Sequence, residues 1–348
     1  MKNLVEQAAM WLRSDVCKKG SILERTAVIE KLYRNYLEEE KDEICSNLGI
    51  SFTEVLDKIT FLEKSLHKIL TEFLYGKQYD ALQETSKMMR GMNLCSLPFD
   101  IPFYKTREND KLFLYSKDEM FHIPYEKRHL VGNQRFSVSG IPCLYLGGST
   151  YICWEELGRK DFNTSNYCGF TLRKPVDMFD MMLPTFISNE DQLRRALLIL
   201  VCSQTAHRVH IFKPEYILPQ CVLHALIKRS YDNSKPICVR YYSSHLLNGD
   251  ADYFFVNYAQ EEVLSRYVNY VFPAASTQDK GYSEELRELF NQTETISPMR
   301  ENLLNPSNSI DSISDDAYLN SHFGLIDSIL DEKMGFKSKR RKITFITN

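Results

Sequence analysis

No proline occurs before Pro98 and glycine is scarce over the same stretch, so little there would break a helix or build a β-rich domain. No apolar run is long enough to span a bilayer; the longest, Ala196 to Cys202, stops far short. The opening MKNLVEQAAMWLRSD lacks the apolar core of a secretory leader. An excess of one charge is missing too. The net charge of −3 argues against holding a polyanion by bulk electrostatics. The nine cysteines are odd in number, form no CxxC, and sit mostly in apolar runs such as Ile152-Cys-Trp and Leu200-Val-Cys. That pattern excludes a disulfide framework or a zinc site and fits buried, reduced thiols. His207 and His210 form an HxxH with no evident third ligand, so no metal is expected. These absences leave a cytoplasmic protein with no membrane anchor and a small-molecule or protein partner.

At 348 residues the chain is long for one average domain. Residues 1–96 read as a helical N-terminal region. Ser21 with Glu24, and Ser51 with Glu54, are capping-box pairs, and Gly49 suits a helix end between them. Phe52, Val55, Ile59, Leu62, Leu66, Ile69 and Phe73 form a seam with alternating steps of three and four. Such a seam packs either into a local bundle or against a second copy, as in a homodimer. Residues 97–275 change character. Prolines and aromatics appear, with strand-like runs at Cys143–Leu146 and Tyr253–Val256 and helical patterns at Gln192–Arg208 and Pro219–Arg229. This is an α+β pattern. Residues 276–348 read as a polar, largely disordered tail with one short helix through Phe323, Leu325, Ile326, Ile329 and Leu330. The basic run Lys337–Lys342 reads as a solvated end, with weak nucleic-acid contact as the alternative.

The most informative stretch is 121–159, FHIPYEKRHLVGNQRFSVSGIPCLYLGGSTYICWEELGR. A strand–turn–strand–helix path would bring Arg135, Tyr145 and Glu156 together. Arginine offers a planar fork of donors for a diphosphate, and tyrosine a stacking face with one hydroxyl. A carboxylate can hold a ribose hydroxyl and stabilise positive charge at an anomeric carbon. That combination suits an anionic, sugar-bearing ligand whose glycosidic bond is cleaved. Each residue also has a plain structural alternative: Arg135 tying a loop through backbone carbonyls, Tyr145 as strand core, Glu156 as surface charge. His122 and His245 lie beside these segments without being singled out.

The segment Asn133-Gln-Arg-Phe-Ser-Val-Ser-Gly-Ile-Pro-Cys-Leu-Tyr-Leu146 resembles the signature of the RES domain family. The Arg-x9-Tyr-x10-Glu spacing is met by Arg135, Tyr145 and Glu156, with Glu155 as the neighbouring alternative. Phe103-Tyr-Lys-Thr-Arg107 resembles the family's opening F-Y-R-x-R, with Lys105 in place of the first arginine. Val239-Arg-Tyr-Tyr-Ser243 resembles the segment that supplies its serine, with Ser244 adjacent. Tyr216–Gln220 and Asn269–Pro273 also look like family segments. The resemblance covers residues 99–275, about half the chain. It implies a fold like that of ADP-ribosyltransferases and cleavage of the nicotinamide–ribose bond of NAD by hydrolysis or phosphorolysis. NAD would then be a substrate, with inorganic phosphate as the co-substrate of phosphorolysis. Glu156, Arg135, Tyr145 and Ser243 would be catalytic, with Arg107 and Tyr104 binding substrate. Several RES proteins are bacterial toxins covered by a helix-turn-helix antitoxin, which would make such an inhibitor a partner. ADP-ribosyl transfer to an acceptor, or an inactive domain serving as an interaction module, are the other readings.

Overall fold

The computed structural model describes residues 3–109, 113–206, 210–243, 265–300, 318–319, 321–336 and 346–347. The fold is α+β. Five helices come first: α1 (Leu4–Arg13), α2 (Ile22–Glu39), α3 (Lys41–Leu48), α4 (Phe52–Leu74) and α5 (Gln78–Met88). Both expected capping boxes form, at Ser21/Glu24 and Ser51/Glu54, and Gly49 ends α3 in the left-handed region at φ 67°.

The strands are β1 (Cys95–Leu97), β2 (Pro102–Arg107), β3 (Cys143–Gly147), β4 (Asn166–Leu172), β5 (Val176–Met181), β6 (Ile237–Tyr242), β7 (Val268–Pro273), β8 (Phe290–Gln292) and β9 (Ile346–Thr347). Among the described residues they form one sheet in the order β8-β4-β2-β3-β7-β6-β5-β1-β9. Among the described residues only β5 and β6 pair in parallel, joined by α7 (Glu190–Cys202) and α8 (Ile217–Asn233). Among the described residues three further helices occur: α6 (Thr150–Glu156) after β3, α9 (Glu284–Leu289) between β7 and β8, and α10 (His322–Lys333) after β8.

Period-two alternation sorts the sheet's side chains into two faces. Val268, Tyr270 and Phe272 of β7 join Phe103, Leu144, Leu146, Phe170 and Phe290 in one aromatic cluster, closed by Tyr115, Phe121, Tyr125, Leu286 and Leu289. Phe272 and Phe290 meet edge-on at 4.9 Å, as do Phe103 and Tyr270. On the other face, Phe179, Val239 and Val271 share a continuous core with α7, α8 and the N-terminal helices. Farther along that sheet Tyr104, Tyr167, Phe162, Phe323, Ile326 and Leu330 form a third cluster under α10.

The heptad seam of α4 is spent inside the chain. Val55, Ile59, Leu62, Leu66 and Ile69 are at most 1% exposed, in the core shared with α2, α5, α7 and α8. Each such side chain is worth about 1.5–3 kcal/mol on burial, a gain a second copy could not provide again. Dimerisation through this seam is therefore set aside in favour of the local bundle.

The expectation of a largely disordered tail is corrected over 284–300, whereas the short helix expected through Phe323–Leu330 is present as α10. Leu286, Leu289 and Phe290 are buried, β8 pairs with β4, and Ile296 bridges to Tyr167. The polar composition concealed a few large apolar residues that close the sheet's far edge. The strand expected at Tyr253–Val256 and the basic run at 337–342 lie outside the described residues. Among the described residues no helix is long and apolar enough to cross a membrane, and no cluster of metal-ligating side chains occurs.

His122 ties the aromatic face together. Its Nδ1 donates to the Ile123 carbonyl at 2.7 Å, and its Nε2 accepts from the Ser283 amide at 2.9 Å. Burial and this acceptor role lock the ring neutral and pull its pKa down to about 4. The unfolded chain takes up a proton near pH 6.5 that the folded chain refuses until about pH 4, so stability should fall as pH falls through that window. Urea unfolding at pH 7, 5.5 and 4.5 should show a loss of up to about 3 kcal/mol that His122→Gln flattens. Equal pH slopes in the two proteins would contradict this account.

Candidate functional site

β2 and β3 pair through a single residue pair, Tyr104 with Gly147, whereas β2 pairs with β4 at six positions and β3 with β7 at five. Beyond that pair the two strands part, and a cleft of about 540 Å³ enters between them. Gly147 is required at the junction. A Cβ there would lie 2.5 Å from Cys153 Sγ and 2.6 Å from Ile152 Cγ2, so only glycine lets α6 sit this close to the end of β3.

The cleft is lined by Lys105, Thr106 and Arg107 of β2, Tyr145 and Leu146 of β3, Tyr241 of β6 and Asn269 of β7. Cys153, Glu156, Leu157 and Gly158 come from α6 and the turn after it, and Asn133–Arg135, Ala206, Lys213 and Tyr216 from loops. Four sequence-predicted residues, Arg107, Arg135, Tyr145 and Glu156, therefore share one cleft.

Their hydrogen bonds qualify the roles expected of them. Arg135 is buried, and its guanidinium donates to the Cys202 carbonyl and, at 3.0 Å, to the Gln204 carbonyl. It also lies 5.1 Å over the Tyr216 ring. Its fork is thus partly committed to the C-terminal end of α7, and only its remaining N–H groups are open to a ligand. The structural alternative for Arg135 is realised alongside its place in the cleft. Arg107 is exposed, stacks 4.5 Å over Tyr115 and donates to the Glu119 carbonyl at 2.6 Å. Tyr145 donates to the Phe136 carbonyl at 2.8 Å, and burial holds its phenol well above its usual pKa. Its ring therefore has a fixed pose and no charge.

Glu156 closes α6, and its Oε1 accepts from Asn269 Nδ2 at 2.9 Å. Glu155 points elsewhere: it is buried and paired with Arg159 at 3.0 Å. Of the two carboxylates, Glu156 is the one in the cleft. α6 itself is pinned at its start. Asp327 of α10 accepts from the Thr150 amide at 3.0 Å and the Thr150 hydroxyl at 2.6 Å, and Ser149 caps the helix.

Two predicted site residues are not brought in. Tyr104 is fully buried in the cluster under α10, and its hydroxyl donates to Asp331. It lies on the same sheet face as Tyr145 but under α10, outside the cleft lining, so the expected substrate contact is corrected to a core role. Ser243 is buried just past β6 and is not among the cleft residues; Tyr241 of the same segment is. Ser244, His207 and His245 lie outside the described residues.

Sequence reasoning passed over Asn269, Tyr241, Tyr216, Lys213 and Thr106. Four of these lie in segments already noted for their resemblance, Phe103–Arg107, Asn269–Pro273, Val239–Ser243 and Tyr216–Gln220, without being assigned a role. Strand alternation was the available signal: Asn269 and Val271 share a face, and Val271 is opposite Tyr145. The buried Thr106 hydroxyl has no hydrogen-bond partner among the described residues, which leaves a polar group at the cleft for water or a ligand to satisfy. Lys105 donates to the Phe121 carbonyl at 2.8 Å, and burial lowers its pKa to about 8.

Fold and cleft together define an α+β protein with a polar pocket at a split in its sheet, carrying arginines, tyrosines and one oriented carboxylate. The chain is similar to a Bacillus subtilis (strain 168) protein described as "Putative toxin YopC", with 29% identity over 300 residues. The match takes in 78% of this chain and 65% of the relative, so the chain spans less than two thirds of that protein's length. No family model matches the chain, and no solved structure matches it.

The hydrogen bonds separate structural from ligand-facing roles. Arg135→Ala strands two buried carbonyls and should cost about 2–3 kcal/mol. Glu156→Gln, at the cleft surface, should change stability by less than about 0.5 kcal/mol. Parallel urea titrations check both; equal losses would mean that Glu156 carries structure as Arg135 does.

Proposed function

We propose that this chain is an NAD-consuming enzyme that cleaves the nicotinamide–ribose bond and acts as a toxin or defence effector. The observation that carries this reading is the convergence of Glu156, held by Asn269, with Tyr145, Arg135 and Arg107 in one cleft. The toxin name of the similar protein supports the biological role. The resemblance to RES domains supports the chemistry.

In this mechanism the diphosphate lies toward Arg107, Lys213 and the open N–H groups of Arg135. Tyr145 supports the nicotinamide-side ribose with its fixed, neutral ring. Glu156 accepts a ribose hydroxyl and stabilises the cation that develops as the C1′–N bond breaks. The bonding pair passes to the pyridinium nitrogen, so nicotinamide leaves neutral. Water or inorganic phosphate then bonds to C1′; water loses its proton to solvent and gives ADP-ribose, while phosphate gives the 1-phosphate ester. A protein inhibitor covering the cleft would hold such an activity in check, and a helix-turn-helix antitoxin is the kind of partner this reading implies.

Purified protein should release free nicotinamide from NAD, and Glu156→Gln should lower that release by at least about a hundredfold. Stimulation by inorganic phosphate would identify phosphorolysis, and its absence hydrolysis. No release from the wild-type protein under either condition would refute the proposal.

A further inference from the structure

We propose that α2 of the N-terminal helical layer positions one wall of the cleft, acting through Arg25 and Thr26. This rests on the NAD reading above and assigns a role to a region that the RES resemblance does not cover. Arg25 and Glu215 form an ion pair at 2.5 Å with both side chains 8% exposed. Arg25 also donates to the Thr205 carbonyl at 3.4 Å. One residue on, the Thr26 hydroxyl accepts from Gln204 Nε2 at 3.2 Å. These contacts join residues about 180–190 positions apart in the chain.

What α2 grips is the back of the cleft. Glu215 stands next to Tyr216, which lines the cleft, and Lys213 sits 5.1 Å over the Tyr216 ring. Gln204 supplies the carbonyl that anchors Arg135, and Ala206 beside it also lines the cleft. Arg135 in turn stacks on Tyr216. Arg25, Glu215, Gln204, Arg135 and Tyr216 thus form a connected path from the helical layer to the ligand-facing surface. Glu156 lies off that path, held by Asn269 of β7 and by an α6 pinned from α10.

The division has a kinetic consequence. The Arg135–Tyr216–Lys213 wall contacts the bound substrate, while Glu156 acts on the bond that breaks. Loosening α2's grip should weaken binding in ground and transition state alike and leave the chemical step nearly intact. Arg25 and Thr26 are positioning residues, not catalytic ones.

The test replaces both members of the ion pair, because removing one would strand the other as a buried charge, whereas apolar replacement of both is often tolerated. In Arg25→Met/Glu215→Met the KM for NAD should rise about fivefold or more while kcat stays within about twofold and the pH profile is unchanged. Thr26→Val, a milder change, should move KM the same way by a smaller factor. A merely structural role would lower the melting temperature and kcat together and leave KM in place; that pattern, or unchanged KM in both variants, would overturn the proposal. If wild-type protein releases no nicotinamide, the NAD reading fails by itself and the positioning claim is read by amide exchange. Faster exchange in the double variant at 203–206 and 213–216, with α6 and β7 unchanged, would uphold it. Equal exchange in those segments would overturn it.

Discussion

Strands β2 and β3 are both fully paired on their outer edges, to β4 and β7, yet meet each other through Tyr104 and Gly147 alone. An unpaired strand edge inside a protein leaves amide and carbonyl groups without partners, a costly arrangement unless water or a ligand satisfies them. The opening persists here because both strands are held elsewhere. The aromatic cluster grips them from one side, through Phe103, Leu144 and Leu146. From the other side α6 presses on Gly147, where no larger residue fits. The cleft is the space this conflict leaves, and every ligand-facing residue is placed by its position relative to it.

The same constraint explains why the helical layer and the C-terminal helix are integrated with the sheet. A split sheet has lost part of its hydrogen-bond ladder, so the halves must be joined by packing. α7 and α8 connect β5 to β6 and share a core with α1–α5, and Tyr33 of α2 donates to the Leu193 carbonyl of α7 at 2.8 Å. On the far half α10 covers Tyr104 and Tyr167 and sends two buried carboxylates, Asp327 and Asp331, to Thr150 and Tyr104. A buried carboxylate is tolerated only when well bonded. Asp327 accepts hydrogen bonds from the Thr150 amide, the Thr150 hydroxyl and the Tyr318 hydroxyl.

What could be read from the sequence follows the range of each interaction. The capping boxes, the α4 seam and the Arg135–Tyr145–Glu156 spacing are local patterns, and the structure places all three of those residues in one cleft. The choice between Glu155 and Glu156 needed geometry, because adjacent helical positions differ in direction and not in chemistry. Tyr104 was misplaced because the helix that covers it is remote in the chain: its partner Asp331 stands 227 residues later. Asn269 was missed for the same reason. Its segment was noticed, but only the pairing of β7 with β3 sets it beside Tyr145. The tail was misread because composition averages over residues: Leu286, Leu289 and Phe290 are few, and they close the sheet.

The position of Glu156 carries its own argument. A carboxylate at the C-terminal end of a helix faces the negative end of the helix dipole, an arrangement that lowers helix stability by a few tenths of a kcal/mol to about 1 kcal/mol. Asp327 occupies the favourable end of the same helix, against the Thr150 amide. Stability alone would put an amide or a cation at position 156. The Asn269 side chain offsets part of the cost by donating to Glu156 Oε1, and in doing so fixes one carboxylate oxygen. A helix of seven residues, clamped at its start by a buried acid and carrying at its end an acid held by a neighbouring strand, gives up a little stability to keep a negative charge at a defined point in the cleft. Such a charge has its greatest value where positive charge develops and water is scarce, as at an anomeric carbon losing its leaving group.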